Sequence, residues 1–152
     1  DSYLLLADGT KFSVSDMRSI SSIGNGSCEL MVLSACQTAV PTGDGSMIEG
    51  LAASTETKGP KAVIASLWRV DDVATTKLMA AFYSLRAAHL DWTKLQCLDE
   101  ATRRLRQGAL GLPGGSEWRS GPTQGPGAGR TWKGPGLHPY YWAPFVLFGN
   151  WR

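Results

Sequence analysis

Two uninterrupted apolar runs, Leu30-Met31-Val32-Leu33 and Ala62-Val63-Ile64-Ala65, constrain the fold of this chain more than any other feature. A strand with one wet face alternates apolar and polar residues, whereas a strand covered on both faces does not need to. Between the runs, Ser46 and Glu49 have capping-box spacing, with Ile48, Leu51 and Ala52 able to cover a sheet. Strand, helix, strand within about 40 residues is a βαβ unit, with parallel strands and a right-handed crossover.

The remaining segments fit around that unit. Tyr3 to Ala7 and Thr10 to Val14 read as two strands joined by a two-residue turn at Asp8-Gly9, a pair that supplies the positive φ angles of a tight hairpin. Ser15 or Asp16 can cap a short helix carrying Met17 and Ile20, ending in Gly24-Asn25-Gly26. A helix is predicted from Asp72 to Ala88, with Leu78, Phe82 and Leu85 on one face, Met79 and Tyr83 beside them, and Asp71 or Asp72 as cap. A second runs from Thr93 to Gln107, with Thr93 and Gln96 at capping-box spacing and Leu95, Leu98, Ala101 and Leu105 as its stripe. Arg103, Arg104 and Arg106 suit the dipole at its end, most simply as a solvated helix end, and Gly108 can terminate it. From Gly108 to Gly136 about half the residues are Gly or Pro, the composition of a flexible surface loop. Val146 to Gly149 reads as one more buried-type strand.

The 152 residues, 43% of them hydrophobic, suffice for one domain with one core. Fifteen basic and 13 acidic residues leave a net charge of +2 with no block of either sign, so no surface for nucleic acid is expected. Cys28, Cys36 and Cys97 are spaced 8 and 61 apart, which fits neither a zinc site nor a compact disulfide framework. Reduced thiols in the cytoplasm are expected. No apolar run approaches the roughly 20 residues of a membrane span, and no cluster of ligands argues for a metal or other cofactor.

In open α/β sheets, reactive groups sit in the crevice beyond the carboxyl ends of the strands. Cys36, just past Leu33-Ser34, is in position to reach such a crevice, although a small cysteine after a strand is commonly only packing.

The residues around Cys36 are more specific. Leu33-Ser34-Ala35-Cys36-Gln37-Thr38, the Asp44-Gly45 turn, Ala62 to Trp68 with Val70-Asp71-Asp72, and His138-Pro139-Tyr140-Tyr141-Trp142-Ala143-Pro144-Phe145 occur in an order that resembles the CHAT domain. This family is grouped with caspases and separases and is associated with tetratricopeptide repeats. The resemblance implies an α/β caspase-like three-layer sandwich over residues 1–152, with a mostly parallel central sheet and helices on both faces. It implies a cysteine endopeptidase in which Cys36 is the nucleophile, activated by a histidine and assisted by its own backbone amide at the oxyanion. The family's histidine, followed by Gly, precedes the segment that resembles Tyr3 to Ala7. It is therefore expected from outside this chain, on an N-terminal or large-subunit segment, and the chain alone is expected to be inactive and N-terminally incomplete.

His89 is most simply a helix-end cation and His138 a packing residue. The segment Trp68 to Asp72 resembles the separase segment that lines the pocket for the side chain before the scissile bond. A carboxylate there selects Arg or Lys by charge-assisted hydrogen bonds. Asp72 is the first choice and Asp71 the second. Each can instead cap the helix, and the two can divide the jobs. Ser66 and Trp68 are candidates for the pocket walls or for plain core, and Asp44 for the pocket or a turn. The alternative to a peptidase is a non-catalytic caspase-like interaction module. Expected partners are a protein substrate, the histidine-bearing segment and a tetratricopeptide-type regulatory region, without nucleic acid or membrane.

Overall fold

A computed structural model describes residues 3–5, 8–13, 16, 19, 27–33, 59–68, 70–112, 118, 129, 131, 132, 134 and 136–152. They divide into two compact units, one of residues 1–69 with 145–151, the other of residues 70–144 with 152.

In the first unit, β1 (Tyr3–Leu5) and β2 (Lys11–Ser13) pair antiparallel, with Leu5 opposite Lys11. A two-residue turn at Asp8-Gly9 would have set Leu5 opposite Phe12, so the register is one residue from expectation. Gly9 takes φ 82°, and the Asp8 carboxylate accepts the Thr10 N–H at 2.9 Å. This side-chain contact within the connection is that of an Asx turn. Asp16, offered as a cap by the sequence, is itself helical, and its carboxylate accepts from both the amide and the hydroxyl of Ser13 at 2.7 Å.

The main sheet of this unit contains β3 (Met31–Leu33), β4 (Ala62–Ser66) and β5 (Phe145–Gly149) in the order β3-β4-β5. β3 and β4 run parallel, with Leu33 opposite Ala65, as the βαβ reading requires. The crossover itself, with Ser46, Glu49 and Leu51, lies outside the described residues, as does Gly24 to Gly26. β5 runs antiparallel to β4, with Phe145 opposite Ser66, so the described sheet is mixed and not mostly parallel. The chain leaves β4 and returns to β5 at the same sheet edge, and a segment that re-enters where it left must run back. Lys61 extends both ladders, donating its N–H to Cys28 O and accepting from Asn150 N–H at 2.7 Å. Its ammonium also pairs with Glu29.

Burial within the sheet is unequal. Ala62 to Ala65 have no exposed surface, whereas β3 and β5 are half-buried along most of their lengths. The expectation that all three were covered on both faces holds for β4 alone, because among the described residues β3 and β5 each pair on one side only. Val63 and Ala65 share one face with Met31, Leu33, Val146 and Phe148. Burying a Val or Ile side chain fully is worth roughly 1.5–3 kcal/mol, so the central strand carries this cluster.

The second unit is built on α1 (Asp72–Ala88) and α2 (Lys94–Arg106), which pack together. Ala74, Leu78, Phe82 and Leu85 are the buried stripe of α1, and Tyr83 lies outside it, 52% exposed, with its ring edge-on to Phe82. The capping box of α2 is complete: Thr93 Oγ1 accepts from Gln96 N–H and Gln96 Oε1 from Thr93 N–H. Cys97, Leu98, Ala101 and Leu105 are buried, whereas Leu95, expected in the stripe, is 49% exposed. At about 100° per residue, Leu95 falls well to one side of the stripe's centre. Lys94 occupies that centre and is 2% exposed, its ammonium donating to the Arg152 carbonyl.

The end of α2 is capped throughout. Gly108, at φ 75°, donates to Leu105 O and Ala109 donates to Arg104 O, the paired bonds of a Schellman motif. Gln107 N–H reaches Arg103 O, and the last carbonyl, of Arg106, accepts from Leu137 N–H at 2.8 Å. A 3₁₀ turn at Pro139–Tyr141 completes the unit.

Candidate functional site

Cys36 and Asp44 lie outside the described residues. What can be built is the frame around them. Because β3 and β4 are parallel, their carboxyl ends, Leu33 and Ser66, lie at one edge of the sheet. The sequence runs on from Leu33 to Cys36 and from Ser66 to Trp68. Ser66, the last residue of β4, is 2% exposed. Trp68 is half-buried.

The two aspartates separate into different environments. Asp71 is the N-cap of α1, and its Oδ1 accepts from Val73 N–H at 2.9 Å and Ala74 N–H at 3.1 Å. Asp72 begins the helix with its side chain exposed, beside the positive end of the dipole. Of the two, Asp71 is the cap, and the Asp72 side chain is exposed to solvent.

Both histidines have structural duties. His89 is the C-cap of α1, with its ring stacked on Trp92 at 4.1 Å between centroids. His138 caps the 3₁₀ turn, accepting the Tyr140 N–H at Nδ1 (3.1 Å), so in the neutral ring the proton sits at Nε2. Its own N–H donates to the Trp118 carbonyl, and the Trp118 ring meets Tyr141 edge-on at 4.9 Å. The His-Pro-Tyr-Tyr segment is therefore packing, as the sequence suggested. Trp118, inside the Gly/Pro-rich stretch, is 9% exposed; most of that stretch lies outside the described residues.

Of the other cysteines, Cys97 has no exposed surface and Cys28 is half-buried. Burial pushes the Cys97 thiol up from its ordinary range, the opposite of what a nucleophile needs.

A residue model of the CHAT domain matches residues 1–150. The chain belongs to the CHAT domain family. No curated protein and no solved structure matches it. Membership extends over both described units of this CHAT domain. Among the described residues, no helix is long and apolar enough to cross a membrane.

One feature of the CHAT domain was not anticipated from sequence. Arg106, Gln107, Trp132, Gly136, Pro139 and Trp142 line a cavity of about 520 Å³ in the second unit. The Arg106 guanidinium carbon lies 5.6 Å from the centroid of the Trp142 ring, whose Nε1 donates to Leu137 O at 3.1 Å. The neighbouring arginines are held elsewhere. Arg103 and Arg104 both bond Glu100 at 2.7 Å and hold its carboxyl down at about 2. Nothing in the spacing of an arginine at a helix end, a tryptophan in a Gly/Pro-rich segment and another after it announces that they meet.

Proposed function

We propose that this chain is the nucleophile-bearing part of a caspase-like cysteine endopeptidase, with the three-layer sandwich of that class. The observation that carries the reading is the parallel pairing of β3 and β4, which sets Leu33 and Ser66 at one sheet edge, in a chain matched to the CHAT family over residues 1–150. That edge is where α/β sheets hold reactive groups.

In this reading Cys36 attacks the carbonyl carbon of the scissile peptide as a thiolate. The Cys36 amide stabilises the oxyanion, the protonated histidine gives its proton to the leaving amine, and water then hydrolyses the thioester. The histidine comes from a segment outside these 152 residues, a view supported by the structural engagement of His89 and His138. Asp72 selects an Arg or Lys before the scissile bond, with Ser66 and Trp68 as pocket walls and Asp44 at the rim. Asp71 is the weaker choice for that role because its Oδ1 is already committed to two helix amides. A tetratricopeptide-type region regulates access, in the cytoplasm.

The test is an arginyl chloromethyl ketone applied to a protein carrying both this chain and the histidine segment, with the adduct located by mass spectrometry. Modification of Cys36 that is lost in Cys36→Ala supports nucleophile and pocket together. An adduct on Cys28 or Cys97 overturns the assignment. A parent protein lacking any histidine followed by Gly upstream of Tyr3 would instead favour a non-catalytic interaction module.

A further inference from the structure

The cavity at the end of α2 has an unusual chemical balance. Its two indoles and the Pro139 ring offer flat apolar walls, while its polar side chains offer donors. Gln107 Oε1 is taken by Arg103 at 2.7 Å, which leaves the Nε2 amide of Gln107 to donate. The guanidinium carbon of Arg106 lies over the Trp142 ring, 5.6 Å from its centroid, and a guanidinium in such a contact still has N–H groups to offer an acceptor. Among the described residues that line the cavity there is no carboxylate. The negative end of the α2 dipole, which would repel an anion, is blunted because the carbonyls of Arg103, Arg104, Leu105 and Arg106 all accept hydrogen bonds.

We propose that this cavity binds an acidic peptide segment in which Asp or Glu adjoins proline. The carboxylate pairs with Arg106, a peptide carbonyl accepts from Gln107 Nε2, and the apolar neighbours lie on Trp132, Trp142 and Pro139. Charge complementarity sets the sign of the ligand, and the weakness of exposed ion pairs argues for a chain over a lone anion. An exposed Arg–carboxylate pair is worth only about 0–1 kcal/mol, so useful affinity requires simultaneous contact with the ring surfaces. Proline-containing segments suit such surfaces because their extended conformation is preformed. The volume, about 520 Å³, lies within the roughly 300–1,000 Å³ of ligand sites in general. The inference is independent of the peptidase reading, since every residue it uses is in the second unit.

The experiment titrates the 152-residue chain with acetyl-Pro-Glu-Pro-amide, acetyl-Pro-Gln-Pro-amide and benzoate, reading the indole N–H resonances of Trp132 and Trp142 in a nitrogen-15 correlation spectrum. The Glu peptide is expected to shift both resonances and to bind about threefold to fivefold more tightly than the Gln peptide, the effect of roughly 0.6–1 kcal/mol from one exposed ion pair. Arg106→Gln should abolish that preference, Arg106→Lys should keep part of it, and Gln107→Leu should weaken both peptides equally. Equal affinity for the two peptides, no shift with either, or benzoate binding as well as the Glu peptide would each overturn the proposal. The peptide comparison decides it even if an Arg106 variant loses its fold.

Discussion

Gly136 sits against the last carbonyl of α2 so closely that a Cβ on it would come within 2.0 Å of the Arg106 oxygen. Gly136 also takes φ 75°, and the next residue, Leu137, donates its N–H to that same carbonyl. The contact caps the helix, anchors the segment leading to His138, and builds one wall of the cavity. Gly108, at the same φ, has open space where its Cβ would be.

The two glycines therefore predict different costs. Gly108→Ala should lower stability by about 1 kcal/mol, from left-handed strain alone. Gly136→Ala adds a clash with backbone and the loss of the Leu137 hydrogen bond, so about 3 kcal/mol is expected. Urea unfolding of the two variants measures the difference, and equal costs would contradict the close approach.

Asp71 and Asp72 should separate stability from specificity. Asp71→Ala removes the acceptor of two helix amides and should cost about 1 kcal/mol. Asp72→Asn should leave the melting temperature nearly unchanged. In a protein that also carries the histidine segment, it should reduce the preference for Arg over Ala before the scissile bond by tenfold or more. Thermal melts and a pair of peptide substrates check both halves.

Thiol reactivity should rank by burial. Cys97, with no exposed surface and a raised thiol, should resist iodoacetamide in the folded chain and react only once urea unfolds α2. Rapid native labelling of Cys97, read by mass spectrometry, would contradict the packing of its helix.

Glu100 predicts an acid-sensitive contribution. Hydrogen bonds from Arg103 and then Arg104 lower its carboxyl from 4.5 to about 2. A group whose folded value is depressed stabilises the fold above its unfolded value and loses that effect as pH falls through the folded one. The contribution should thus be complete above about pH 5 and decay toward pH 2. Because both arginines are more than 40% exposed, it should amount to no more than about 1 kcal/mol and shrink with salt. Glu100→Gln should flatten that part of the stability profile, measured by urea unfolding against pH.

The helices were legible in the sequence by themselves. The Asp71 cap, the Thr93–Gln96 box and the Gly108 stop are interactions between residues a few positions apart, and the 3.6-residue stripe of α1 needs only an apolar side to face. The parallel pairing of β3 and β4 followed from reading two apolar runs with a capped helix between them as a βαβ unit, whose helical crossover returns the chain in the same direction. Tertiary structure alone decided which way β5 runs and how far β3 and β5 are covered. Each of these depends on which distant segment arrives beside a residue, and local spacing carries no record of that. The same holds around the site: the Asp71 cap is local chemistry, whereas Arg106 is far along the chain from Gly136 and Trp142 and meets them only because Leu137 docks on the end of α2.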